Sequence, residues 1–408
     1  MNTDVIIVGA ELDAFIASIR LQELGYTSRV LANGQGSYLY SSGNIKVLDF
    51  KENNNSDNKT FPFFIEGLPS AHPYKLIGKD NVKQAIEWFF NHQISNKLRY
   101  EYFETNTFTI SPIGLKIPSY GLYFNQINFE NIYNKDITII KFQNQKDFHA
   151  ELIAQSIKQY VNTIEILNVV QPDTNQHSDS SSLALSFDNL SSPDNYFFNI
   201  NKKINKKTSV VIFPAVLGLN KYMEIIRCAE KTFSKKCFEA PTLPPSIPGI
   251  RLNKILEREV LKKNYIHRGS HILKANIENN KCLSVVDNFK RIIKARAFIF
   301  ANGGILMGGI KVKSNGEIVE EIFDSKIQNN NHTKCEKSYE TLNALQTSGV
   351  LTDNKLKPIS NSNNQLENVF FTGRNLSNWN PSLELSGEGV SIASGWYSAN
   401  NISSYLHD

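Results

Sequence analysis

Cysteine is scarce in this chain, with four in 408 residues. Cys228, Cys237, Cys282 and Cys335 show neither a CxxC nor a Cys/His ligand spacing. That excludes a disulfide framework and a cysteine-based metal site and points to reduced thiols; no metal site is expected. Long apolar runs are also missing. Nothing approaches the roughly 18 apolar residues that span a bilayer, so a membrane role would be peripheral or through a partner. The first apolar run is only about five residues long and lacks a basic flank, which reads as a buried strand and not a signal peptide. Charge of one sign is not concentrated either. The net +5 is spread along the chain, and the Lys202 to Lys207 cluster reads as a solvated loop, so nucleic-acid binding is not expected.

Apolar residues at 41% are enough for a real core, and the length predicts two domains or one domain with an insertion. Asp4-Val5-Ile6-Ile7-Val8 reads as a short buried strand. Phe15 to Leu24 reads as a helix stopped by Gly25, and Ser28 to Ala32 as a second strand. Strand, tight turn, helix and strand at this spacing open a Rossmann-type fold. In its G-x-G-x-x-G/A turn only Gly9 and Ala14 fit. Ala10 follows Gly9, and Glu11 stands where the second glycine lets a backbone approach a pyrophosphate. Asn33 stands near the position where an acid often holds a ribose, which leans away from a tightly held adenosine.

Further along, Lys51 to Thr60 reads as a polar loop and Asn81 to Gln93 as a helix with Val82, Ala85, Ile86, Phe89 and Phe90 on one face. Residues 97 to 142 alternate as strands do, ending in the strand Asp136 to Phe142, and Asp147 to Tyr160 reads as a helix. Gln171 to Lys207 reads as loop with short elements. Ser209 to Pro214 and Ala297 to Ala301 are buried strands. Leu243 to Gly249 is a rigid turn, and Leu252 to Lys262 a helix. Asn302-Gly303-Gly304 and Thr372-Gly373 each follow a strand, and Gly387-Glu388-Gly389 opens a last helix. The expected architecture is α/β. A Rossmann-type FAD/NAD(P)-binding domain is assembled from 1–43 and 246–408, and a mixed α+β substrate or cap domain from 44–245.

An ordered series of motifs then matches one family. They are Ser41-Ser42-Gly43, Ala71 to Gly78 with His72-Pro73, Ser111-Pro112-Ile113-Gly114 and Asp147-Phe148-His149-Ala150. Thr242 to Leu252 follows, then Gly349 to Asp353 leading to Glu367 to Gly373. Together they resemble the B subunit of the anaerobic glycerol-3-phosphate dehydrogenases, from residue 4 to about residue 400. The resemblance implies a flavoprotein carrying FMN, with FAD as the alternative. Its partners would be a catalytic, FAD-bearing A subunit, together with an iron–sulfur C subunit that holds the pair on the inner face of the cytoplasmic membrane. It implies oxidation of sn-glycerol 3-phosphate to dihydroxyacetone phosphate, with electrons passed to the quinone pool. The alternatives are a cofactor-free structural partner of the A subunit, or a stand-alone FAD-dependent oxidoreductase.

The candidate cofactor residues are Gly9, Ala10, Glu11, Ala14, Asn33, Ser41, Ser42, Gly43, Gly303, Gly373, Gly387 and Gly389. Catalytic residues are not assigned. His72 is a candidate proton carrier or packing residue, and Arg251 a candidate phosphate ligand or structural ion pair. Glu384 and Glu388 could act as acid–base groups, with solvated carboxylates as the alternative. The chain departs from the family pattern at two turns that are usually glycine-rich, where Glu11 and Glu388 now stand. Two carboxylates near a phosphate argue for weakened flavin binding, which a nearby cation such as Arg374 would offset.

Overall fold

A computed structural model describes residues 3–48, 61, 63–172, 179–328, 345–362 and 365–407. The Lys51 to Thr60 segment and Cys335 lie outside the described residues. The chain divides into two compact units. The first comprises residues 1–37, 46–95 and 255–408, and the second 38–45 and 96–254.

The first unit is built on β1 (Val5–Val8), whose four apolar residues are all buried. A strand with no solvent-facing side chain belongs inside a parallel sheet covered on both faces, and that is its place. The sheet order is β18-β13-β1-β2-β9, with β2 Ser28–Ala32, β9 Tyr265–Arg268, β13 Ala297–Phe300 and β18 Val369–Phe371. All four pairings are parallel, with Val5 opposite Ser28 on one side and Ala297 on the other. Helix α1 (Leu12–Glu23) links β1 to β2 as expected and packs against α13 (Gly387–His407). The two helices touch backbone to backbone, since a Cβ on Gly395 would lie 2.5 Å from the Asp13 carbonyl oxygen.

Helices α2 (Pro73–Ile77) and α3 (Lys79–Asn91) also belong to this unit. The division departs from the expected domain border at residue 43, because α3, with Val82, Ala85, Ile86, Phe89 and Phe90 buried, packs against α13. Helix α4 (Gln93–Leu98) carries the chain toward the second unit, and the return falls within α10 (Ile247–Val260). An antiparallel meander of β10 (Ile272–Glu278), β11 (Lys281–Asp287) and β12 (Ile292–Lys294) connects β9 to β13. Between β13 and β18 lie α11 (Gly304–Met307) and two short ladders. These are β14 (Lys311–Val312) with β15 (Ile318–Val319), and β16 (Ile327–Gln328) with β17 (Gly349–Val350). Short α12 (Pro381–Glu384) leads from β18 toward α13.

The second unit mixes an antiparallel hairpin, β3 (Glu101–Ile110) and β4 (Lys116–Leu122), with a parallel sheet. That sheet runs in the order β6-β5-β7-β8, with β5 Asp136–Phe142, β6 Thr163–Val169, β7 Val210–Pro214 and β8 Lys236–Ala240. Short α5 (Phe129–Ile132) and α6 (Ala150–Ile157) pack Phe129, Ile132, Ile153 and Ile157 into one core with Ile137 and Ile139. The other core gathers Phe142, Phe187, Phe197, Phe213 and Phe233, the last from α9 (Tyr222–Phe233). In the stretch Gln171 to Lys207, expected as loop with short elements, the described residues carry two nine-residue helices. Helices α7 (Ser180–Asp188) and α8 (Pro193–Asn201) supply Phe187 and Phe197, both fully buried. The polar residues that suggested loop start helices instead. Asp179 accepts the Ser182 N–H as N-cap of α7, and Pro193 opens α8.

Candidate cofactor site in the dinucleotide fold

In an open parallel sheet, ligands bind outside the carboxyl ends of the strands. Here the turns leaving β13, β1 and β2 frame a cavity of about 260 Å³, whose walls include Gly9, Glu11, Asn33, His271, Asn302 and Met307. Gly9 makes the first turn possible. Its φ of +119° disfavours any side chain, and a Cβ there would lie 2.0 Å from the Ala301 carbonyl oxygen. Asn302, just past β13, contributes a side-chain oxygen that is buried without a hydrogen-bond partner among the described residues.

Glu11 is the N-cap residue of α1, yet its side chain makes no capping bond. It turns across the crevice instead. Its Oε1 accepts the Ser37 N–H and its Oε2 the Ser37 hydroxyl, each at 2.8 Å. A Cβ built on Gly303 would sit 3.0 Å from the same Oε1. The carboxylate therefore lies among the turns after β1, β2 and β13 and is only 6% exposed. Burial raises its pKa above the ordinary carboxylate value, against the opposing pull of Ser37 and Arg374. Arg374, half-buried in the turn after β18, has its own pKa lowered by burial while Glu11 and Glu388 hold its charge.

Deeper in the turn, Asp13 is 1% exposed and accepts the Thr372 hydroxyl at 2.6 Å. Burial pushes its pKa up to about 7; the Thr372 bond opposes the rise and the Glu11 charge adds to it. Gly373 packs on that carboxylate, and its N–H is taken by the Ser394 hydroxyl at 2.9 Å. The Gly389 N–H goes to the Lys46 carbonyl at 2.9 Å, and Glu388 pairs with the Lys46 ammonium at 3.5 Å. A Cβ on Gly389 would strike the Tyr74 hydroxyl at 2.2 Å. The amides of Gly373 and Gly389 are thus spent on internal packing, and Ala14 is buried inside the α1 contact. Gly387 opens α13.

Ser41, Ser42 and Gly43 belong to the second unit. There the Gly43 carbonyl accepts the Tyr100 hydroxyl, and the Ser42 carbonyl accepts from Gln126 at 3.4 Å.

His72, 1% exposed, is committed at both ring nitrogens. Nδ1 accepts the Tyr74 N–H at 3.0 Å, so Nε2 carries the proton and donates to Glu384 at 3.0 Å. Burial works to raise the Glu384 pKa, but the His72 bond and the Asn380 N–H outweigh it and hold the carboxyl low. Arg251 is likewise committed. Its guanidinium forks onto Glu239 at 2.6 and 3.0 Å, with Nε on the Gly218 carbonyl at 2.8 Å.

Sequence reading missed Ser37, Asp13 and Asn302. Ser37 has no motif around it, and Asp13 looks like an ordinary exposed acid in the first turn of a helix. Asn302 reads only as part of a glycine turn.

A family profile described as FAD binding domain matches residues 4–390. The chain belongs to the FAD binding domain family. It is similar to the B subunit of the anaerobic glycerol-3-phosphate dehydrogenase of Aliivibrio fischeri (strain MJ11), at 25% identity over 98% of this chain and 95% of that protein. The protein of the same name from Vibrio cholerae serotype O1 (strain ATCC 39315 / El Tor Inaba N16961) is 23% identical, over 98% and 97%. Among solved structures, E. coli quinol fumarate reductase aligns with a TM-score of 0.45 at 9% identity, over the whole of this chain and 71% of that one. The 3-ketosteroid delta1-dehydrogenase of Sterolibacterium denitrificans gives 0.44 at 10%, over 99% of both.

The family match and the dehydrogenase subunits place the chain among flavoprotein oxidoreductases, as the ordered motifs implied. They name FAD most directly, and FMN, the first expectation, has no support in them. The site itself fits only half of FAD. The cavity of about 260 Å³ has room for a nucleoside. Beside the start of α1, where the diphosphate belongs, stands Glu11 in place of a glycine, with its carboxylate on the Ser37 donors, so the residues present do not fit that group. Among the described residues no helix is long and apolar enough to cross a membrane.

Proposed function

We propose that this chain works as the B subunit of an anaerobic glycerol-3-phosphate dehydrogenase. In this reading it stands beside a catalytic, FAD-bearing A subunit, with an iron–sulfur C subunit on the inner face of the cytoplasmic membrane. The complex oxidises sn-glycerol 3-phosphate to dihydroxyacetone phosphate and passes electrons to the quinone pool. The observation that carries the proposal is likeness to proteins of that name along 98% of the chain.

Within the complex we assign this chain a supporting role and leave substrate chemistry to the A subunit. His72 has both ring nitrogens engaged, and Arg251 is locked on a buried glutamate, so neither is placed to take a proton or a phosphate from substrate. Gly9, Ala10, Asn33 and Gly303 are proposed to shape the nucleoside side of the crevice. Gly373, Gly387 and Gly389 are proposed to close the helix packing behind it.

The test is co-expression with the A and C subunits, followed by quinone-linked oxidation of sn-glycerol 3-phosphate in membranes. The expected result is co-purification with the A subunit, plus loss of membrane-bound activity when this chain is omitted. Full activity of the other two subunits in its absence would refute the proposal.

A further inference from the structure

A dinucleotide bound across this fold needs anion-binding donors at the start of α1 and room for its diphosphate beside them. In this chain the Ser37 N–H and hydroxyl, just beyond β2, both reach the side chain of Glu11, the residue that precedes α1. Both are already used, each at 2.8 Å, by the two oxygens of Glu11. A carboxylate that accepts one hydrogen bond on each oxygen presents much the same face as two oxygens of a phosphate, and hydrogen bonds to a charged group are among the stronger ones. Arg374 lies within electrostatic reach of the same carboxylate. The Glu11 side chain has thus gathered the serine donors and a cation that a diphosphate would otherwise use, and it makes no bond to the amides that open α1. The cavity beside it stays open, with Asn302 among the residues of its wall.

We infer that the Glu11 carboxylate is an internal substitute for the dinucleotide's diphosphate, excluding FAD from the crevice while leaving a nucleoside-sized cavity beside it. A diphosphate can enter only if Glu11 gives up two charge-assisted hydrogen bonds, and it then meets a displaced negative charge in a partly dry site. An uncharged nucleoside makes neither demand. Glu11 is therefore a specificity-determining residue acting by exclusion. The inference rests on the flavin-family reading of the crevice and is independent of the chain's place in a dehydrogenase complex.

The test uses the purified full chain and two variants, Glu11→Gly and Glu11→Gln. FAD, ADP and adenosine are titrated by calorimetry, and FAD also by quenching of its fluorescence. Glu11→Gly removes both bulk and charge and frees Ser37. Glu11→Gln keeps the size, so a gain there isolates the charge and guards against a glycine variant that fails to fold. The expected result is FAD and ADP binding at least roughly 30-fold tighter in Glu11→Gly than in the native chain. A smaller gain is expected in Glu11→Gln, with adenosine changed less than about threefold in either. Native protein that purifies with stoichiometric FAD would overturn the inference. So would FAD affinity unchanged in both variants. If no form binds any of the three probes, the inference falls, while co-purification with the A subunit still tests the role in the complex separately.

Discussion

Replacing Arg251 by methionine would leave the Glu239 carboxylate charged, fully buried and without its cation. Arg251 is 2% exposed and Glu239 is at 0%. The pair makes two bonds at 2.6 and 3.0 Å, the Arg251 Nε holds the Gly218 carbonyl, and the guanidinium lies 4.2 Å from the centre of the Tyr222 ring. Burial opposes the Arg251 charge, but Glu239 more than compensates and raises its pKa. Removing one partner of such a pair costs about 3–5 kcal/mol, because the remaining charge is stranded in a medium that solvates it poorly. Replacing both by apolar residues of similar volume is far milder. Urea unfolding followed by far-UV circular dichroism reads this. Trp88, Trp379 and Trp396, the three tryptophans of the chain, belong to the first unit, so their fluorescence reports there and not on the second unit. With a slope of about 2 kcal/mol per molar urea, Arg251→Met should move the second unit's midpoint down by roughly 2 M. The double variant Glu239→Leu with Arg251→Met should recover most of that loss. A shift below about 0.5 M for the single variant, or a double variant worse than the single, would refute the assignment of Arg251 to a buried structural pair.

Asp13 should make stability fall as pH rises. Its folded pKa of about 7 lies above the ordinary 3.8. Its contribution is therefore whole below 3.8, declines across the interval and is gone above about 7. Asp13→Asn abolishes the titration and leaves an acceptor for Thr372. The variant should gain on the native chain by roughly 2–3 kcal/mol between pH 5 and pH 8, at about 1.4 kcal/mol per pH unit, and a flat difference in unfolding free energy across that range would contradict it. Gly9→Ala should lower stability by more than about 2 kcal/mol, since it adds a clash with Ala301 to an unfavourable φ. A thermal midpoint equal to the native one would show that the turn relaxes freely.

The sequence by itself determined the frame of the first unit. Four apolar strand residues, Gly9 and a helix of the right length dictate β1, its turn and α1, because only a central parallel strand buries both faces and only a glycine turns that tightly. The motif order pointed to the family. Local pattern placed no helix within the stretch read as loop with short elements, where Asp179 and Pro193 begin helices whose Phe187 and Phe197 complete an aromatic core that only the folded unit assembles. The presence of a glutamate at position 11 was visible in the sequence, but its partner was not. Ser37 lies 26 positions away on another strand's exit, and no local spacing connects the two. Likewise Arg251 carried the same chemistry whether it faced a phosphate or a glutamate. Tertiary structure decided between these by bringing Glu239 to it in a place that excludes water, where the two charges are stable only as a pair.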